Sequence, residues 1–242
     1  MYKILISNDD GIKSPGLNPL IKELSKIAEI HIIIPKSQMS GTGHSITLKK
    51  YKKIDKIRKN FYVIKSGTPV DCIKYGLNFF FKSKIDLVIS GINTCPNLGQ
   101  DVVYSGTVGA AREGALKGIP SLAVSAAETD TREYSHSAIA TRKIAEVILK
   151  RKRSFKNICL NINIPVNYKG IKIVPLGLND YNEKVEIIVD KKGSSFYKLS
   201  GKYMPSYNNR KTDIHTVSKG YISVTPLQIN QTDYKLIKKI KL

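Results

Sequence analysis

YKILISNDDGIKSPGLNPLIKELSKIAEIHIIIP (residues 2–35) decides the fold. It opens with YKILIS (2–7), a near-continuous apolar run that stops at polar residues. That is the pattern of a strand buried on both faces. Leu17, Leu20, Ile21, Leu24 and Ile27 then recur at helical spacing, which predicts an amphipathic helix over 17–28. IHIII (30–34) is the next strand, stopped by Pro35. A strand, a helix and a strand in so short a stretch make a βαβ unit, whose two strands run parallel.

The same rhythm continues. SQMSGTGHS (37–45) is a loop by its Ser, Gly and Thr content. FYVIK (61–65) reads as a strand, and Thr68 and Pro69 as the N-cap and first-turn proline of a helix through about residue 80. IDLVIS (85–90) is another buried strand, followed by a Gly- and Asn-rich loop to about 105. GTVGAAREGALKG (106–118) is a helix of small residues, ended by Gly118 and Pro120. SLAVS (121–125) is a strand, 133–150 a helix, and ICLNINI (158–164) the last strand of the set. Alternating β and α predicts an α/β fold, a mainly parallel sheet covered by helices. After Pro165 the rhythm changes. KVEIIVD (184–190) and SSFYKLS (194–200) flank KKG as a β-hairpin, and GYISVTPL (220–227) is a further strand. The expected organisation is an α/β core over 1–165 and a β-rich extension over 166–242, one structural domain overall.

Composition narrows the function. The chain has 242 residues, 41% hydrophobic and 24% charged, ordinary for a globular protein that buries a sizeable core. Its formal net charge is +21, which raises nucleic acid, membrane surface or anionic substrates as partners. Only seven of the 40 basic residues are Arg, and Lys is scattered along the whole chain. The basic runs KKYKKIDKIRK (49–59), KRKR (150–153) and KLIKKIKL (235–242) are short, and the first holds one aromatic. We read the charge mainly as a solvated lysine coat. Cys72, Cys95 and Cys159 are odd in number and widely spaced, which suggests neither a disulfide framework nor a zinc site and fits a reducing cytoplasm. The start MYKILISNDD has no charged leader, apolar core and cleavage site, so no signal peptide is expected. No apolar run approaches the roughly 20 residues needed to span a bilayer.

In parallel α/β sheets, ligands bind outside the carboxyl ends of the strands. Three polar loops leave strand ends here: 7–16, 36–45 and 90–107. Asp9 and Asp10 repel one another, and a bare DDG is as good a solvated turn as a site. At the mouth of a buried strand, however, a hard cation such as Mg²⁺ or Mn²⁺ stabilises paired carboxylates. PKSQMSGTGHS (35–45) offers Ser40, Thr42, His44 and Ser45, although by itself it reads as a flexible Gly–Ser loop. SGINTCPNLGQDVVYSGTVGAAREG (90–114) carries the most information. Asn93 and Asn97 supply amide oxygens for a metal or donors for an oxyanion. Ser105, Gly106 and Thr107 lead into a helix whose N-terminal N–H groups favour phosphate, or whose Ser or Thr is simply its cap. Neither the P-loop nor the dinucleotide spacing is present, nor is the Gly-x-Ser-x-Gly elbow or a His-Glu-x-x-His zinc motif. These residues suggest a divalent metal on two Asp and an Asn beside a phosphate-binding helix end, and so phosphoryl-group hydrolysis.

ILISNDDGIKSPGL (4–17), PKSQMSG (35–41), SGTPVDC (66–72), DLVISGINTCPNLGQDVVYSGTVGAAREG (86–114) and GYISVTPL (220–227) stand in one order along the chain. In that order they resemble the survival protein SurE family of metal-dependent 5'/3'-nucleotidases. The resemblance implies a metal held by Asp9, Asp10, Ser40 and Asn93, one Mg²⁺ or Mn²⁺ per subunit. It implies a substrate pocket using Asn97, Ser105, Gly106 and Thr107, with Asn8 beside the metal pair, and catalysis by Asp9, Asp10 and Asn97. The substrates implied are nucleoside 5'- and 3'-monophosphates, with short polyphosphate and nucleic acid as lesser ones. The fold implied is a Rossmann-like three-layer core, with a C-terminal extension exchanged between subunits of a homodimer or homotetramer. Cys95 departs from the small residue, often Gly, that the family places there, which bears on the backbone of this loop. Three rivals stand beside this reading. A haloacid-dehalogenase-type phosphatase wants Asp-x-Asp, and here the pair is adjacent. A basic nucleic-acid-binding module wants basic residues interleaved with aromatics on one face. A structural oligomer with a dead site would release no phosphate.

Overall fold

β1 (Tyr2–Ser7), α1 (Leu17–Leu24) and β2 (Ala28–Pro35) form the βαβ unit, with Ile4 opposite Ile30 in a parallel ladder. The structure, a computed structural model, describes residues 1–81, 84–127, 134–151, 154–206, 211–237 and 239–240. Of the basic runs, Lys152, Arg153, Lys238 and Lys241 lie outside the described residues, as does Glu133 at the expected start of a helix. α1 ends sooner than its apolar spacing predicts. The Lys26 and Ile27 N–H groups turn back onto the carbonyls of Glu23 and Leu24, and Ala28 already pairs with Tyr2. Ile27 still packs on the core, from the turn and not from the helix.

The remaining elements follow the expected alternation. They are β3 (Ile54–Arg58), β4 (Phe61–Ile64), α2 (Pro69–Tyr75), β5 (Leu87–Asn93), α3 (Gly106–Leu116), β6 (Ser121–Ala126), α4 (Ser135–Lys150) and β7 (Cys159–Ile164). Thr68 caps α2 in a reciprocal capping box with Asp71, as the Thr-Pro pair predicts. β3 is an addition. It lies within the basic run 49–59 and forms an antiparallel edge on β4, the kind of charged edge strand that resists further pairing.

Beyond Pro165 come β8 (Ile171–Ile173), β9 (Asn179–Asp180), β10 (Lys184–Val189), β11 (Ser195–Ser200), β12 (Met204–Pro205), α5 (Asp213–Ser218), β13 (Ile222–Leu227) and α6 (Tyr234–Ile237). The main sheet has the order β3-β4-β2-β1-β5-β6-β7-β13-β8. Its six central strands, β4 to β7, are parallel, and β13 returns antiparallel to β7 with Ser223 opposite Asn163. Part of the extension therefore completes the main sheet. Among the described residues β10 and β11 pair only with each other, as the expected hairpin, and β9 pairs with β12 at its base.

Three layers result. Ile4 and Ile6 face the cluster that includes α1 and α4, while Leu5 faces the one that includes α2. All three are fully buried, each worth roughly 1.5–3 kcal/mol of transfer free energy. The chain leaves β1 toward β2 and β4 on one side, then returns to β5, β6 and β7 on the other. The crevice between the carboxyl ends of β1 and β5 is the topological switch point.

Candidate active site

The loop after β1 opens at this switch point. The Asn8 side chain closes it, accepting from the Gly11 N–H (3.0 Å) and donating to the Gly11 carbonyl (3.1 Å). Gly11 has φ +81°, and a Cβ there would lie 2.9 Å from the Ser37 carbonyl carbon. Only glycine lets the first two site loops approach so closely. The Met39 N–H donates to the Asp9 carbonyl at 2.7 Å and fastens the second loop to the first.

The turn sends two carboxylates to one place. Asp9 accepts from the Thr107 N–H (3.2 Å) and, closely, from the Thr107 hydroxyl at the start of α3. Asp10 accepts from the Thr94 N–H (3.2 Å) and the Thr94 hydroxyl (3.4 Å) in the loop after β5. Burial pushes the Asp9 carboxyl above its usual range, against the hydrogen bonds from Thr107. Burial, and then the charge of Asp9, pushes Asp10 up to about 6. Each charge is thus held at a cost that a cation would offset. Among the described residues no cluster of three or more His, Cys, Asp or Glu side chains forms, so further ligands must be neutral oxygens. Ser40 and Asn93 are of that kind. The Ser40 hydroxyl accepts from Gln38 at 2.9 Å, and Asn93 donates its amide N–H to the Cys95 carbonyl at 2.7 Å, which leaves the amide oxygen as its ligating atom. Two carboxylates with hydroxyl and amide oxygens are the donor set of a hard divalent cation.

Asn97 is gripped from the sheet. Its N–H donates to Asn163 Oδ1 (2.8 Å), and its carbonyl accepts from Asn161 Nδ2 (2.8 Å) and Asn163 Nδ2 (3.0 Å). Its side-chain amide donates to the Ser125 hydroxyl at 2.8 Å. The same loop is fixed further along. The fully buried Asp213 of α5 accepts from the N–H groups of Gly99 (2.8 Å) and Gly177 (2.7 Å).

The second loop is held on the helical side. Asp71 accepts from the Thr47 N–H and hydroxyl at 2.9 and 2.7 Å. His44 pairs with Glu113 at 3.1 Å, and Lys74 reaches the same carboxylate at 2.8 Å. Although Glu113 is buried, these two partners hold its carboxyl below the usual range. His44 therefore serves as a tether for the loop.

Asp9, Asp10, Ser40, Asn93, Asn97 and Ser105 line one cavity of about 710 Å³. The three other residues that the family resemblance names lie behind it. Asn8 is consumed by its own turn, Gly106 passes close to Asp9, and both Thr107 donors reach Asp9. Ser105 caps α3 by accepting from the Val108 N–H at 3.1 Å, so the capping alternative holds for this hydroxyl. Sequence reasoning missed Thr94, Asp101, Tyr181 and Leu199 on the wall, and Asn161 and Asn163 behind it. The last two carried a signal, polar residues at alternate positions in the otherwise apolar strand LNINI.

The chain is similar along nearly its whole length to known proteins. The family described as "Survival protein SurE" matches residues 4–183. A protein named 5'-nucleotidase SurE from Syntrophomonas wolfei is 41% identical, over 99% of this chain and 93% of its own length. A protein of the same name from Aquifex aeolicus is 39% identical over 100% of this chain and 98% of its own. The crystal structure of the SurE protein from Aquifex aeolicus matches with a TM-score of 0.87 at 38% identity, covering 99% of this chain and 98% of that one.

Proposed function

The chain belongs to the survival protein SurE family and is an enzyme of the nucleotidase class, and we propose on that premise that it is a divalent-metal-dependent phosphomonoesterase. Its substrates on this reading are nucleoside 5'- and 3'-monophosphates, with short polyphosphate a lesser one. The observation that carries it is the Asp9–Asp10 pair, a buried and a half-buried carboxylate anchored from α3 and from the β5 loop at the switch point.

Asp9, Asp10, Ser40 and Asn93 would hold one Mg²⁺ or Mn²⁺. When bound, such an ion supplies a Lewis acid for a phosphate oxygen and acidifies a water. The protein's own part is placement. Thr107 and Thr94 fix the two carboxylates, so the pair does not rotate apart as charge develops beside it. The N-terminus of α3 adds a positive dipole end on the same side, which favours a dianionic phosphate over its alcohol product. Asn97, locked by Asn161, Asn163 and Ser125, offers a preorganised amide where the ester would lie.

The β10–β11 hairpin supports a homodimer or homotetramer. Val185, Ile187, Tyr197 and Leu199 share one face and are all exposed, an apolar surface that another subunit would cover by exchange. Its free cysteines and the absence, among the described residues, of a helix able to cross a membrane support a cytoplasmic enzyme.

The deciding experiment is phosphate release from AMP and 3'-AMP with and without Mg²⁺ or Mn²⁺. We expect metal-dependent release, and a loss of more than about 100-fold in Asp9→Asn and Asp10→Asn, beyond the range usual for outer-shell changes. Full activity in either variant overturns the site. Trapping of a phospho-aspartate would replace the water mechanism with a covalent one.

A further inference from the structure

Between Ile30 and Val70 the chain carries nine Lys and Arg against a single acid, Asp55, whereas the whole chain carries 40 against 19. This part of the surface is far more basic than an even coat would make it. The excess gathers at one edge of the main sheet, along residues 49–59, which include the outermost strand β3. We propose that this edge is a binding surface for single-stranded nucleic acid, with Tyr51 as the face on which a base stacks. It lies at the opposite end of the sheet from β13 and β8. It is a second surface, beyond the monophosphate chemistry proposed above.

The lysines are available. Lys49, Lys50, Lys53, Lys56 and Lys59 are exposed, and among the described residues none of them meets an acidic partner. Asp55, the local acid, is already met by Lys65 at 3.5 Å. The lysines are also on a fixed edge. Lys52 donates to the Ser66 carbonyl, and the Lys65 N–H donates to the Lys53 carbonyl at 2.9 Å, which fastens the stretch before β3 along the end of β4. Arg58 sits over the Phe61 ring, its guanidinium carbon 5.6 Å from the centroid. Such a row displaces the counterions condensed on a nucleic-acid backbone, a gain that grows with each phosphate it meets.

The aromatic decides between partners. Tyr51 is fully exposed amid these lysines, and among the described residues no other ring packs against it. A bare aromatic face beside cations suits an unpaired base stacked on it with its phosphate on a lysine. A duplex keeps its base faces inside and offers Tyr51 nothing. A polyphosphate has no bases. Basic residues and an aromatic are thus combined on one edge.

The test is fluorescence anisotropy of a short, end-blocked, fluorescent oligoadenylate. The slope of log affinity against log salt should be about −3.5, about −0.7 for each of five phosphates neutralised. The triple variant Lys49→Ala, Lys50→Ala, Lys53→Ala should reduce its magnitude by about 2. The triple variant Lys117→Ala, Lys143→Ala, Lys192→Ala, which changes exposed lysines elsewhere, should leave it unchanged. Equal loss in both would return the charge to a general coat and overturn the surface. Tyr51→Ala should weaken binding about tenfold and Tyr51→Phe less than about twofold, the scale of one stacked base. Full exposure of Tyr51 keeps both variants folded. Wild-type affinity in Tyr51→Ala overturns the single-strand assignment. Excess AMP should not displace the oligonucleotide, and displacement would place it in the cavity of Asp9 and Asp10. Tighter binding to anionic phospholipid vesicles would make the edge a membrane contact. Either result, or no binding at low salt, overturns the proposal.

Discussion

At the scale of single residues, the site turns on how two adjacent aspartates are kept charged in a buried place. Thr107 donates twice to Asp9. Thr107→Val keeps the volume and the N–H but removes the hydroxyl, so we expect kcat/KM for AMP to fall about 10–100-fold, with Mn²⁺ affinity falling alongside. Titration calorimetry with Mn²⁺ checks the second half, and unchanged affinity would separate Thr107 from the metal pair. Asp10 sets a pH dependence. Its folded value of about 6 lies above the ordinary 3.8. Its contribution to the stability of the metal-free protein is therefore full below about pH 3.8 and is lost as pH rises through about 6. Metal binds the ionised pair, so the Tm gain on adding Mn²⁺ should grow between about pH 5 and pH 7. Scanning calorimetry over that window checks it, and a flat gain would remove Asp10 from the ligand set. NDDG, GIN and PNLG made Asp9, Asp10, Asn93 and Asn97 legible in the sequence, because each follows a buried strand. Asp101, Tyr181 and Asp213 were not legible. Asp101 and Tyr181 are 80 residues apart, and Gly99 and Asp213 are 114 apart. No local pattern announces such pairs.

At the scale of elements, the strands buried on both faces were the easiest to read. YKILIS and IDLVIS have the short, near-continuous apolar runs of parallel strands buried on both faces. IDKIR was read as part of a basic run because its alternating Lys and Arg also suit a solvated segment, yet it is the edge strand β3. α5 was missed for want of length, six residues being too few to show a helical period. The second site loop has no strand or helix of its own from 37 to 53. Its shape comes from side chains, and Asp71 is the main one, with Thr47 twice and the Thr68 N–H at 3.0 Å as partners. Asp71→Ala should cost about 2–4 kcal/mol in urea unfolding, the sum of a lost cap and a released loop. It should also raise KM for AMP, because Ser40 lies on that loop. A loss below about 1 kcal/mol would mean the loop is held elsewhere.

At the scale of the whole molecule, the extension does two jobs that the chain's rhythm did not separate. β13 and β8 complete the main sheet, while β10 and β11 stand away from it with apolar side chains in solvent. If exchange covers that face, Ile187→Glu should shift the protein to monomer in light scattering while circular dichroism stays unchanged. A wild-type monomer would overturn the exchange. Asp213 gives the same region a further consequence, which concerns the order of synthesis. The Asp9–Asp10 pair is made first, whereas the carboxylate that receives the Gly99 and Gly177 amides is made at 213. The strand that covers the edge of β7 comes later still, at 222–227. A nascent chain on the ribosome thus carries Asp9 and Asp10 long before the loop that bears Asn97 is fastened. A chain cut before residue 222 would keep Asp213 but lose β13, and so leave the edge of β7 open.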